Sequence, residues 1–258
     1  MSTKRLNIIK NYIKQNKKVH VSTLSKMLFV SETTVRSDLD QLEMEGFVKR
    51  YHGGAILKED NLSNMIFMMD EEDPIMLKKN YIADVAADII EDGDVIFLGH
   101  GYSCWQIAKR IKKKQSLSVV TNNMYVLYEL SCIDNIDLII IGGNVQKKEG
   151  SIFSAGVYSL SFLEKILINK AFISPLGVSI SNGYTIDSED QLELYRMIKN
   201  VADDVMILAD NSKFNKTYRI SFLPIHSKVK IITNENIPLQ YKEFFYKKSI
   251  QFYYSSNA

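Results

Sequence analysis

Cysteine is scarce in this chain of 258 residues: Cys104 and Cys132 are the only two. A disulfide framework and a four-cysteine zinc site are thereby excluded. Long apolar runs are missing too, and none approaches the roughly 18 residues a membrane-spanning helix needs. Behind Lys4 and Arg5 there is no apolar signal core and no cleavage site. No repeat of roughly 20–50 residues and no low-complexity tract interrupts the chain. Zinc-ligand spacing, a Walker loop, a dinucleotide fingerprint and a Gly-x-Ser-x-Gly elbow are all absent. The chain is therefore expected to be cytoplasmic, to use no cofactor or metal, and to make no membrane contact. The two cysteines lack a local nucleophile partner and are expected to be buried.

Apolar material is plentiful. With 46% hydrophobic residues, the chain has core enough for one large domain or two ordinary ones. Charge divides it unevenly. Residues 1–58 hold eleven Lys and Arg against five Asp and Glu, a net of +6, while the remainder holds 21 against 25, a net of −4. A basic head on a mildly acidic body points to a polyanion that meets the head alone. Residues 59–74 carry six acidic residues, no basic ones, and end at Pro74. They read as a linker, which divides the chain into a head (1–58), a linker (59–74) and a body (75–258).

The head has the pattern of a small helical module. Leu6, Ile9 and Ile13 recur at helical spacing within residues 4–16. Residues 19–21 alternate like a short strand, and Ser22 is then placed to cap a helix over 23–28. Ser31 is placed to cap a second helix to about residue 45, with Val35, Leu39 and Leu42 on one side and Gly46 as its stop. Residues 47–51 and 55–57 read as strands joined at Gly53 and Gly54. Two short helices around a tight turn, the second basic, fit a helix-turn-helix, and the following hairpin fits a wing. Thr33, Ser37 and Asp40 would then point outward with Thr34 and Arg36 on the flanks, where Arg can read guanine. Lys49, Arg50 and His52 in the hairpin suit phosphate contacts. A plain three-helix bundle shares this periodicity, and Arg36 could instead pair with Glu32 or Asp40 within its helix.

Val30-Ser31-x-x-Thr34-Val35-Arg36-x-Asp38-Leu39, then Leu42-Glu43-x-x-Gly46 and His52-Gly53-Gly54-Ala55, resemble the DNA-binding head of the DeoR family. That family comprises bacterial regulators of sugar metabolism, mostly repressors. The match runs across residues 3–58. The resemblance implies contacts to double-stranded operator DNA from Ser22, Ser31, Thr33, Thr34, Arg36, Ser37, Lys49, Arg50 and His52. Where the family carries a second consecutive arginine, this chain has Ser37.

In the body, short apolar strands alternate with amphipathic helices. Strands are expected near 94–98, 117–120, 137–141, 171–174, 205–209 and 230–233. Helices are expected over 78–90, 105–113, 124–130, 157–167 and 188–202. This alternation predicts a mainly parallel sheet covered on both faces. Gly99-His100-Gly101-Tyr102-Ser103 follows the first strand and Thr121-Asn122-Asn123 the second, with Gly142-Gly143 after the third. Such loops converge on one sheet edge, where ligands of open α/β sheets bind. Lys213, after a later strand, supplies a cation suited to phosphate.

These stations, with Gly183-x-Thr185, Glu189 and Ser212-Lys213-Phe214, also resemble the family's C-terminal sensor domain over residues 75–235. The resemblance implies an α/β Rossmann-like fold related to ribose-5-phosphate isomerase. It also implies a small-molecule effector, a phosphorylated sugar or similar metabolite. The effector site would draw on residues 99–103, 121–123, Gly142, Gly143, Asp187, Glu189 and Lys213. The family's usual Asp-Ser-Gly-Thr-Thr is here Gly99-His100-Gly101-Tyr102-Ser103, without the carboxylate.

The rival class is a sugar-phosphate isomerase. Isomerisation needs a carboxylate base at the carbon being deprotonated. The related isomerases carry acidic residues in the loop matching residues 175–179, and this chain has none there. Another alternative is a head that binds a protein partner. The reading carried forward is a winged helix-turn-helix head and an α/β sensor without catalytic residues. Paired heads reading paired half-sites make a homo-oligomer the expected assembly.

Overall fold

The computed structural model describes residues 2–58, 74–148, 151–156, 160–226 and 228–254. Two units emerge, Met1–Met76 and Leu77–Ala258. Most of the expected linker, residues 59–73, lies outside the described residues. At Pro74, the last residue given to the linker, a helix opens that spans Pro74–Ile89; proline suits a first helical turn because its missing N–H has no partner to lose there.

In the first unit α1 is Ser2–Asn16, α2 Val21–Leu28 and α3 Glu32–Met44. Strands β1 (Lys18–His20), β2 (Val48–Tyr51) and β3 (Gly54–Leu57) form an antiparallel sheet in the order β1-β3-β2. Leu6, Ile9 and Ile13 of α1 join Leu24, Val35, Leu39, Leu42, Val48 and Ala55 in one buried cluster. Ser31 caps α3, its Oγ accepting the Thr34 amide at 3.2 Å. Gly46 follows the helix with φ 71°, a left-handed stop that glycine adopts without a Cβ penalty. One cap differs from expectation. α2 starts at Val21 after His20, so Ser22 lies in its first turn and caps nothing.

The second unit is built on a seven-stranded sheet in which every neighbouring pair is parallel. Its order is β15-β14-β12-β9-β4-β5-β6. The strands are β4 (Val95–Leu98), β5 (Leu117–Thr121), β6 (Ile136–Ile140), β9 (Ile168–Ile173), β12 (Ala202–Leu208), β14 (Val229–Thr233) and β15 (Phe252–Tyr254). Phe97, Val120, Ala171, Ile173, Ile207 and Ile231 lie in its apolar core. Near-continuous apolar strands of this kind require cover on both faces. From β4 the chain adds strands to one side through β6 and then crosses back to β9. This makes β4/β9 the place where winding reverses.

Elements absent from the sequence reading complete the unit. A hairpin pairs β7 (Asn144–Lys148) with β8 (Ser151–Ala155), and β10 (Gly177–Ser179), β11 (Gly183–Ile186) and β13 (Ile220–Leu223) form a separate antiparallel sheet. A late helix, Leu239–Lys247, and β15 follow. The helix expected over 157–167 is a single turn, Leu160–Leu163, with residues 157–159 outside the described residues. Helix Tyr102–Arg110 begins three residues before its expected start. Gly101, with φ 104°, takes a conformation open to glycine and lets the chain turn into the helix at once. Cys104 is buried as expected, but Cys132 is exposed, because it follows helix Met124–Leu130 in a surface turn.

Candidate functional site

The first unit offers one surface and the second one edge. On α3, Val35, Asp38, Leu39 and Leu42 face inward, leaving Thr33, Arg36, Ser37 and Asp40 exposed. Asp38 is buried by a partner no local pattern signals: the Arg5 guanidinium grips its carboxylate through two bonds of 2.5 and 2.8 Å. That bond holds the Arg5 pKa above its ordinary value. Sequence spacing gives no hint of it, since the partners stand 33 residues apart.

Arg36 lies half exposed, 2.9 Å from Glu32 one turn earlier. Asp40 does not take part in that pair. It meets Arg50, whose Nη1 also donates to the Arg36 carbonyl at 2.9 Å. Arg50, expected at a phosphate, is thus a strut between wing and α3. Lys49 and His52 are exposed in the wing, and so are Ser22 and Ser31; Thr34 is half-buried, its hydroxyl 2.9 Å from that of Ser31. Short hydroxyls, one half-exposed arginine and a basic hairpin make a surface suited to phosphates and base edges.

At the C-terminal edge of the sheet, the loop after β4 runs through Gly99, His100 and Gly101 into the helix at Tyr102. Gly99 donates its N–H to the Phe172 carbonyl at 3.0 Å, and a Cβ there would lie 3.1 Å from that oxygen. Beyond Gly101 the first amides of a nine-residue helix face the edge, where N–H groups and the helix dipole favour an anion. Ser103 and Tyr102 are buried in that first turn, the Tyr102 ring standing edge-on to Trp105 at 5.6 Å.

The station after β5 is entirely buried and does internal work. Thr121 Oγ1 donates to the Leu98 carbonyl at 2.6 Å. Asn122 Nδ2 donates to the Ser154 carbonyl at 2.9 Å. Asn123 Nδ2 donates to the carbonyls of Gly99 and Gly101, while its Oδ1 caps the next helix through the Tyr125 amide. These three residues hold the edge in shape from beneath. Gly142 and Gly143 lie exposed after β6; Gly143, with φ 141°, passes so close to Ala155 that a Cβ would meet its carbonyl oxygen at 2.6 Å.

His100 turns inward. Its Nδ1 lies 2.5 Å from the Tyr195 hydroxyl and its Nε2 3.2 Å from Gln191 Nε2, with Phe153 of the hairpin against its ring. The loop is thereby tied to helix Glu189–Val201. Burial pushes the Cys104 thiol up to about 12 and the Tyr195 hydroxyl well above its ordinary value, so both keep their protons and neither serves as a base. Asp187 is half-buried and Glu189 exposed near the start of that helix. Lys213 ends the turn Asn211–Lys213 after β12, shaped by Asp210 accepting the Ser212 amide at 2.8 Å. Among the described residues no group of three or more His, Cys, Asp or Glu could hold a metal. Nor is any described helix long and apolar enough to cross a membrane.

A winged helix-turn-helix followed in one chain by a doubly wound unit with an anion-suited edge defines a ligand-responsive transcription regulator. Comparison with known proteins agrees. The DeoR-like helix-turn-helix domain matches residues 5–61 and the DeoR C terminal sensor domain residues 76–235. The chain is 28% identical over 248 residues to the HTH-type transcriptional regulator IolR of Bacillus subtilis (strain 168), covering 95% of this chain and 96% of that one. It is 32% identical to the HTH-type transcriptional regulator YulB of the same organism, over 85% of this chain and 83% of the relative. Against the lactose phosphotransferase system repressor of Lactococcus lactis subsp. lactis the identity is 28%, covering 94% of each. The ribose 5-phosphate isomerase A of Methanocaldococcus jannaschii overlaps 56% of this chain and 55% of its own at 16% identity and a TM-score of 0.39, too distant to bear on chemistry. The chain belongs to the DeoR family. It is a DNA-binding transcriptional regulator with a small-molecule sensor domain, not an enzyme.

Proposed function

We propose that this regulator represses a carbohydrate operon, binding operator DNA as a homo-oligomer and responding to a phosphorylated sugar. In this reading residues 59–74 connect the reading head to the sensor. α3 enters the major groove, with Arg36 leaving Glu32 for a base edge, Lys49 and His52 meeting phosphates, and Arg50 holding the wing against α3. The effector's phosphate sits on the amides after Gly101, with Lys213 as its cation and Gly142, Gly143, Asp187 and Glu189 around the sugar. The observation that carries the effector site is the reversal of winding between β4 and β9, at the edge where the loop after β4 opens a helix with a positive-φ glycine.

A thermal-shift screen should find sugar phosphates raising the melting temperature and their unphosphorylated sugars failing to do so, because a native-state ligand stabilises by mass action. Lys213→Ala should abolish that shift and the ligand's effect on DNA while DNA binding without ligand stays unchanged. A Lys213→Ala protein of wild-type sensitivity would remove the lysine from the site. On the head, Arg36→Ala should weaken binding to a selected duplex by about 1–3 kcal/mol. Equal affinity in the folded variant would leave the Glu32 pair as Arg36's whole role.

A further inference from the structure

Phe29 occupies the turn between α2 and α3 in a left-handed conformation, φ 53° and ψ 42°. The residue is 95% exposed. The other described non-glycine residues with positive φ are Lys17, Ser116, Asn215 and Ser249, all polar and at ease in water. An aromatic ring gains nothing from either circumstance: the backbone conformation is strained for a bulky residue, and the ring buries no surface. The conformation is imposed from outside the residue. The Ser25 carbonyl accepts the amides of both Phe29 and Val30, and the Ser25 hydroxyl donates to the Val30 carbonyl at 2.6 Å. Ser25 thus sets the helix-turn-helix angle and leaves the ring projecting two residues before the cap of α3.

We infer that Phe29 is a DNA contact, its ring lying on apolar surface at the rim of the groove, either a deoxyribose face or a thymine methyl. The inference rests on α3 being the groove helix. Lys26, Ser31 and Thr33, close by in sequence, are all exposed. An exposed ring with a cation, Met27 and hydroxyls close by in sequence suits a duplex, whose backbone takes the polar groups and whose sugars and methyls take the apolar ones.

The test uses the full-length protein and a duplex it selects from a random-sequence pool. Phe29→Gly should relieve the left-handed strain and slow hydrogen exchange of the α2 and α3 amides by about threefold. The same change should weaken duplex binding by about tenfold. Phe29→Asn, which tolerates the conformation, should weaken it similarly, and Phe29→Tyr should restore it. A duplex with deoxyuridine for thymine should reproduce the loss if the ring meets a methyl; an unchanged affinity assigns it to the sugars. Arg36→Ala run alongside reports separately on α3 in the groove. Duplex affinity within twofold of wild type for both Phe29→Gly and Phe29→Asn overturns the inference, and a loss of self-association in those variants would assign the ring to a second copy of the chain.

Discussion

Replacing Gly54 by alanine should unfold the wing and abolish DNA binding while the sensor unit stays intact. Gly54 lies in β3 between its partners His20 and Tyr51, and a Cβ built there falls 2.1 Å from the Val19 carbonyl and 2.4 Å from the Tyr51 hydroxyl. Neither neighbour can yield cheaply. The Val19 carbonyl belongs to the β1 backbone, and the Tyr51 hydroxyl is anchored on that same oxygen at 3.2 Å. Overpacking of this kind costs about 3 kcal/mol, a large share of the stability of a domain of this size. The chain's single tryptophan is Trp105, buried in the sensor unit. Its fluorescence should therefore keep its native spectrum and unfolding transition in the variant. A Gly54→Ala protein with wild-type duplex affinity would show that the wing can absorb the methyl, and that the close approach of Tyr51 is dispensable.

Asn123→Ala should be the most damaging single change at the sensor edge. The residue is fully buried and its one side chain satisfies three backbone groups, the carbonyls of Gly99 and Gly101 and the amide of Tyr125. Truncation strands all three, a loss of about 3 kcal/mol from the missing cap and the unpaired carbonyls together. Asn123→Asp separates the contributions. A carboxylate still caps the Tyr125 amide but repels the two carbonyls, so it should keep helix Met124–Leu130 while loosening the loop. Effector response should disappear in both variants, and global stability should suffer more in the alanine variant. Chemical denaturation beside a ligand titration checks both. Full ligand response in Asn123→Asp would mean that the 99–101 loop does not form the effector's cradle.

Much of this arrangement was legible without coordinates, for local reasons. The cap at Ser31, the stop at Gly46 and the apolar stripe of α3 each depend on residues within a few positions of one another. So does the alternation of apolar strands and helices that predicts a parallel sheet. The hairpin β7–β8 and the sheet β10-β11-β13 were not legible. Their strands are short and mostly unpatterned, and they are stabilised by pairings such as Tyr184 with Leu223 and by packing into a core shared with distant elements. The roles within the site divided the same way. That Gly99–Ser103 and Thr121–Asn123 lie at one edge follows from strand order. That His100 turns inward and that Thr121–Asn123 is wholly buried, bracing the first loop through its glycine carbonyls, does not.

Composition, charge and motif order by themselves determined a basic DNA-binding head, an acidic α/β sensor body and their family. Each of these is written in contiguous residues and survives any rearrangement of side chains. Tertiary structure decided which polar groups remain available for a partner. Arg5 takes Asp38, Arg50 takes Asp40, and Asn123 takes two glycine carbonyls. His100 turns from the loop's mouth to Tyr195, and Phe29 is left in water. A buried or half-buried polar group must find a partner wherever the fold brings one within reach. Because that partner stands tens of residues away, only folding reveals which side chains are already occupied and which are left for DNA and effector.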